Sequence, residues 1–187
     1  MTRVLIPLAT GCEELEAVTV IDILRRGGVD VVSAGLGAPG APVRASRGTV
    51  LVPDTSLDEA LKQDYDMVVL PGGLPGANHL NDDTRIRELL QRMAYQEKYI
   101  AAICAAPKVL ADAGLLKGRR ATSYPGTLNA AQLDGVNYQD SSVVQDGTLI
   151  TSRGPGTAMD FALALLETLA GRAKRDEVEA SLIRPMH

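Results

Sequence analysis

The residue best placed to do chemistry is Cys104, which ends the apolar run Tyr99-Ile100-Ala101-Ala102-Ile103 and is followed by Ala105-Ala106-Pro107. Four apolar residues before it fit a strand covered on both faces, and a proline tolerated in a first helical turn opens Pro107–Ala113. Cys104 then sits on a sharp strand-to-helix turn, where free N–H groups of the helix start point at the side chain and favour negative charge. That environment favours a thiolate nucleophile. A free cysteine at a strand end also serves as a small buried hydrophobe, and this stretch alone leaves both readings open.

The only other cysteine is Cys12, in the turn Thr10-Gly11-Cys12-Glu13-Glu14. A chain with this much core scarcely needs a disulfide. Cys12 is either a passive small residue or a second thiol for exchange with Cys104. The two histidines are His79, after a glycine-rich turn, and His187, at the terminus. His79 is read as a loop or helix-start histidine within reach of the Cys104 pocket, and His187 as disordered.

The elements that must position Cys104 follow in order. Val4–Ala9 is a strand, a helix runs from Glu14 to Gly27, and Val29–Ala34 returns as a second strand, a right-handed parallel unit. Gly35–Pro53 reads as a hairpin excursion bearing Arg44 and Arg47. Asp54–Glu59 reads as a helix start, and Asp66–Leu70 as a buried strand ending in the turn Pro71–Gly76. Asp82 to Gln96 is an amphipathic helix leading into the Cys104 strand. Ala121–Tyr124 is a short strand, Val143–Thr151 a hairpin with an Asp146-Gly147 turn, Thr157–Ala170 a long helix and Lys174–Leu182 a last one.

The 187 residues suit one domain over residues 1–187, and 45% hydrophobic with 3% aromatic content indicates an α/β protein with a mostly parallel sheet. A net charge of −4 excludes a broad electrostatic attraction to nucleic acid or anionic lipid, so small molecules or other proteins are the expected partners. The N-terminus enters a strand at once and no later stretch approaches the length of a membrane span, giving the expectation of a cytoplasmic protein. Neither a dinucleotide fingerprint nor a phosphate loop with its lysine is present, which argues against nucleotide binding.

Five ordered blocks resemble the DJ-1/ThiJ/PfpI superfamily, and most closely its DJ-1 and YajL branch. They are Gly11-Cys12-Glu13-Glu14-Leu15-Glu16, Ser46-Arg47, Val69-Leu70-Pro71-Gly72-Gly73, Ala101 to Pro107, and Thr151 to Thr157. The resemblance implies a flavodoxin-like doubly wound sandwich with a nucleophile elbow, a homodimer, Cys104 as nucleophile and Glu16 as the acid that touches it. It implies no metal and no organic cofactor. Gly73 and Ala105 would offer backbone N–H groups to an oxyanion, with Gly72 shaping the turn. Dimers of the family pack near the first helix, which points to Arg25, Arg26 and Arg47 as interface residues. Arg47 and Arg153 are also candidates to neutralise an acidic product or to make structural ion pairs.

A carboxyl beside a thiolate is expected to stay protonated, raising its own pKa and depressing that of the thiol. Read without the resemblance, Glu16 is an exposed first-turn carboxylate favoured by the helix dipole. Peptidases of the superfamily place a histidine directly after the nucleophile, where Ala105 stands here. The branch often has a histidine where this chain has Tyr124, so a histidine base is not expected. The implied activity is conversion of small 2-oxoaldehydes such as methylglyoxal to hydroxy acids without glutathione, or the related repair of glycated adducts. The alternative is an oxidative-stress sensor or chaperone working through oxidation of Cys104 to the sulfinate.

Overall fold

In the computed structural model, which describes residues 2–184, the apolar runs form one seven-stranded sheet. The chain passes through β1 (Arg3–Leu8), α1 (Glu14–Arg26), β2 (Asp30–Gly35), the two-residue strands β3 (Val43–Arg44), β4 (Val50–Leu51) and β5 (Thr55–Ser56), then α2 (Leu57–Ala60). It continues through β6 (Met67–Leu70), α3 (Leu74–Asp82), α4 (Thr84–Tyr95), β7 (Tyr99–Ile103), α5 (Pro107–Asp112), β8 (Arg120–Ala121), α6 (Ala130–Leu133) and β9 (Asn137–Tyr138). The hairpin β10 (Val143–Asp146) and β11 (Leu149–Ser152), a 3₁₀ turn at Pro155–Thr157, α7 (Ala158–Ala170) and α8 (Arg172–Ser181) complete it. His187 lies outside the described residues.

The sheet order is β10-β11-β7-β6-β1-β2-β5, with every pair parallel except β10 against β11. Alternation along β1 sends Val4, Ile6 and Leu8 into a core shared with α1 and α7, while Leu5 joins Val68, Leu70 and Ile100 under α4 and α5. The fold is therefore a flavodoxin-like doubly wound sandwich, with its strand order reversing between β1 and β6. The loops after β1, β6 and β7 meet at that end of the sheet.

Two local expectations are corrected and one is refined. Leu74-Pro75-Gly76 starts α3 instead of extending a turn: proline occupies the first helical turn, and a Cβ on Gly76 would stand 2.6 Å from Cys12 Cα. The helix start read within Asp54–Glu59 is α2, with Asp58 and Glu59 in its first turn and Asp54 outside it. The Asp54 carboxylate accepts from the Ser33 hydroxyl at 2.7 Å and from Arg25 at 2.6 Å, leaving Ser56 as the cap. The strand expected at Ala121–Tyr124 stops at Ala121, because the Tyr124 N–H turns to donate to the Cys104 carbonyl at 2.8 Å. Arg26 pairs with Asp22 on α1 at 2.7 Å, so both it and Arg25 are engaged within the chain.

Candidate active site

Cys104 has φ of 65°, a left-handed conformation that non-glycine residues seldom adopt. The conformation is held from both sides: its N–H donates to the Ser152 carbonyl on β11 at 3.0 Å, and its carbonyl accepts from Tyr124. The side chain is thereby lifted off the end of β7 toward the β6–α3 turn.

Glu16 reaches the same point from α1. It is fully buried, its Oε2 accepts from the Gly72 N–H at 2.8 Å, and its Oε1 has no hydrogen-bond partner among the described residues. A methyl group on Gly72 would stand 2.5 Å from Cys104 Cβ and 2.6 Å from Glu16 Oε2, so both side chains close on the glycine. Gly73, with φ of 81°, would place a Cβ 2.4 Å from the Gly11 carbonyl oxygen. Only glycine lets the β1 and β6 turns approach so closely.

Burial raises the Glu16 carboxyl to about 7, although the Gly72 N–H and the thiol act the other way. The thiol departs from the expected depression. Burial first, and then the charge of ionised Glu16, push Cys104 up to about 12 against the N–H groups of Gly73 and Ala105, which lower it. The helix-start N–H groups do act on the sulfur, but they compete with a dry pocket and an adjacent carboxylate. Moving the proton from Sγ to Glu16 removes that carboxylate charge, so acid and thiol behave as one coupled pair.

The pair opens into a cavity of about 520 Å³ lined by Glu13, Arg47, Gly73, Leu74, Cys104, Ala105, Tyr124, Pro125, Gly126, Thr127 and Pro155. Arg47 and Tyr124 are thus brought to Cys104. Arg153 and His79 are not. Arg153 forms an ion pair with Asp140 and borders the adjoining cavity with Leu128, Leu133 and Tyr138. His79 hydrogen-bonds the Thr10 carbonyl through Nδ1 at 2.8 Å and lines a separate pocket with Asp82 and Asp83. Cys12 is fully buried and does not line the cavity over Cys104; burial followed by the charge of Glu14 pushes its thiol up to about 11.

Sequence reasoning missed Glu13 as a wall of the cavity. Its Oε2 accepts from the Ser46 hydroxyl at 2.7 Å, so two blocks far apart in the chain are tied at the pocket mouth. Beside it Glu14 accepts from the Arg47 N–H at 3.1 Å and the Thr49 N–H at 3.3 Å. Burial opposes ionisation of Glu14, but these backbone donors and its own N–H hold its carboxyl at about 2. Glu14 thereby fixes the β3–β4 hairpin to the start of α1. The signal was the unbroken acidic start of α1, which reads equally well as dipole compensation.

A strained cysteine between strand and helix, facing a buried acid at the switch point of a parallel sheet, defines an α/β protein of the elbow type. Residues 2–168 match the model of the DJ-1/PfpI family. The chain is 45% identical over 180 residues to protein dj-1beta of Drosophila melanogaster, covering 96% of this chain and 95% of the relative. The crystal structure of that Drosophila DJ-1beta superposes with a TM-score of 0.93 at 44% identity over 99% of each chain. Glutathione-independent glyoxalase DJR-1.2 of Caenorhabditis elegans is 37% identical over 174 residues, 93% of this chain and 89% of the relative. The chain belongs to the DJ-1/PfpI family. Among the described residues no group of three or more His, Cys, Asp or Glu side chains is placed to hold a metal, and no helix is long and apolar enough to cross a membrane.

Proposed function

We propose that this chain is a cofactor-free, glutathione-independent glyoxalase that converts methylglyoxal to lactate, with deglycase-type activity on early aldehyde adducts by the same chemistry. The observation that carries the reading is the buried Glu16–Cys104 pair around Gly72. The name of the nematode relative supports it.

In this reading ionised Glu16 takes the thiol proton, and the thiolate adds to the aldehyde carbon. The developing alkoxide is met by the N–H groups of Gly73 and Ala105 and takes a proton, giving a hemithioacetal. Glu16, ionised again, removes the hydrogen of that carbon and a proton is returned to the adjacent carbonyl carbon, which leaves a thioester of lactate. Water then cleaves the C–S bond, releasing lactate and restoring the thiol. One carbon is oxidised and its neighbour reduced, so only water is consumed.

The test is lactate formation from methylglyoxal without glutathione by the parent, Cys104→Ser and Glu16→Gln proteins. Turnover abolished by Cys104→Ser and greatly slowed by Glu16→Gln supports the reading. An inactive parent, or a Cys104→Ser protein of equal activity, refutes it.

A further inference from the structure

Methylglyoxal has five non-hydrogen atoms, which at roughly 30 Å³ each, the share of a molecule in liquid water, occupy roughly 150 Å³. The cavity over Cys104 is about 520 Å³. The excess volume is bordered by a guanidinium that no ion pair among the described residues engages. Arg47 lines the cavity, yet among the described residues its guanidinium makes no ion pair or hydrogen bond; only its backbone N–H is engaged, by Glu14. Glu13 also borders the cavity, with its Oε2 held by the Ser46 hydroxyl, and Glu14 is held by backbone N–H groups; neither makes an ion pair with Arg47. Arg153, Arg25 and Arg26 by contrast each meet an aspartate.

A guanidinium presents a planar fork of donors that matches a carboxylate in two parallel hydrogen bonds. Resting on the glyoxalase reading, we propose that Arg47 makes this a pocket for 2-oxoaldehydes bearing a second, carboxylate end, with the oxoaldehyde at Cys104 and the carboxylate at the guanidinium. The simplest substrate of this class is 4,5-dioxopentanoate, an oxoaldehyde separated from its carboxylate by two methylenes. Addition of water with the internal oxidation and reduction described above converts it to 2-hydroxyglutarate. The aldehyde carbon becomes a carboxylate and the ketone carbon a secondary alcohol, with no external oxidant.

The experiment compares kcat and KM for 4,5-dioxopentanoate and its uncharged methyl ester on the parent, Arg47→Met and Arg47→Lys proteins. It also measures 2-hydroxyglutarate binding to the same proteins by calorimetry. The expected result is a kcat/KM about tenfold higher for the acid than for the ester, as for one hydrogen-bonded charge partner. Arg47→Met removes this preference chiefly through KM, Arg47→Lys retains part of it, and added salt weakens it because Arg47 is exposed. Equal kcat/KM for acid and ester in the parent, or a preference that survives Arg47→Met, overturns the inference while leaving the glyoxalase reading intact. If neither aldehyde is turned over but Arg47→Met weakens 2-hydroxyglutarate binding about tenfold, the carboxylate site stands and the glyoxalase reading falls. Binding of 2-hydroxyglutarate indifferent to Arg47 overturns the site.

Discussion

Replacing Glu16 by Gln isolates the energetic consequence of burying an acid beside a thiol. The carboxyl titrates near 7 in the folded protein against 4.5 for the free group. Between these values the native state holds a proton that the unfolded chain has released. Stability therefore falls as pH rises through 4.5 to 7 and is level above that window. At about 1.4 kcal/mol for each pH unit, the loss attributable to Glu16 is roughly 3 kcal/mol. Glutamine can accept the Gly72 N–H through its carbonyl and presents an N–H where the protonated carboxyl presents an O–H, with no charge to desolvate at any pH. The assay is urea unfolding of parent and Glu16→Gln proteins at pH 4 and pH 8. The difference between the two proteins should shift by roughly 3 kcal/mol in favour of the variant at the higher pH, equivalent to roughly 6–12 °C in Tm for a chain of this size. Every other titrating group cancels in this comparison unless it touches Glu16. A difference that does not change with pH, or that favours the parent as pH rises, would refute the argument that burial dominates the site.

The same pair governs thiol reactivity: alkylation of Cys104 by iodoacetamide should accelerate with pH and reach half its plateau near 7, where Glu16 becomes able to accept the thiol proton. In Glu16→Gln that inflection should disappear, and a rate profile identical to the parent's would contradict the coupling. Gly72→Ala should lower stability by about 1–3 kcal/mol, the usual cost of overpacking, and suppress methylglyoxal turnover, because the added methyl meets Cys104 Cβ, Glu16 Oε2 and the Ile103 carbonyl oxygen within 2.9 Å. Wild-type unfolding and turnover in this variant would show that the packing around Gly72 is looser than described. A homodimer is expected through the outer face of α1, where Leu15 and Val18 stand 50% and 47% exposed one turn apart. Sedimentation should find a dimer that Leu15→Glu dissociates, and a monomeric parent would refute that expectation.

The parallel strands were legible because buried runs such as Val4–Leu8, Met67–Leu70 and Tyr99–Ile103 are apolar throughout, and α4 because Ile86, Leu89, Leu90 and Met93 recur at helical spacing. Helix α3 was not legible. Its first turn, Leu74-Pro75-Gly76, has turn composition, and the glycine is there to admit the Cys12 backbone, a contact between segments more than sixty residues apart. Cys104 and its neighbours could be found from the five motif blocks. Side-chain pairings could not: Arg153 turns to Asp140, His79 to Thr10 and Glu13 to Ser46, and no periodicity encodes such partners. The height of the Cys104 thiol pKa was likewise hidden, since it depends on how completely the fold dries the pocket around it.

The left-handed backbone of Cys104 has a consequence for how this chain tolerates change. A glycine at position 104 would adopt φ of 65° without a side-chain penalty, and the strain there is of order 1–3 kcal/mol, so local sterics alone favour discarding the thiol. Screens that select only for heat resistance or expression should therefore drift toward Cys104→Gly. Selection on chemistry should hold the cysteine, and the opposition between these two pressures separates what this position does for the architecture from what it does for the cell.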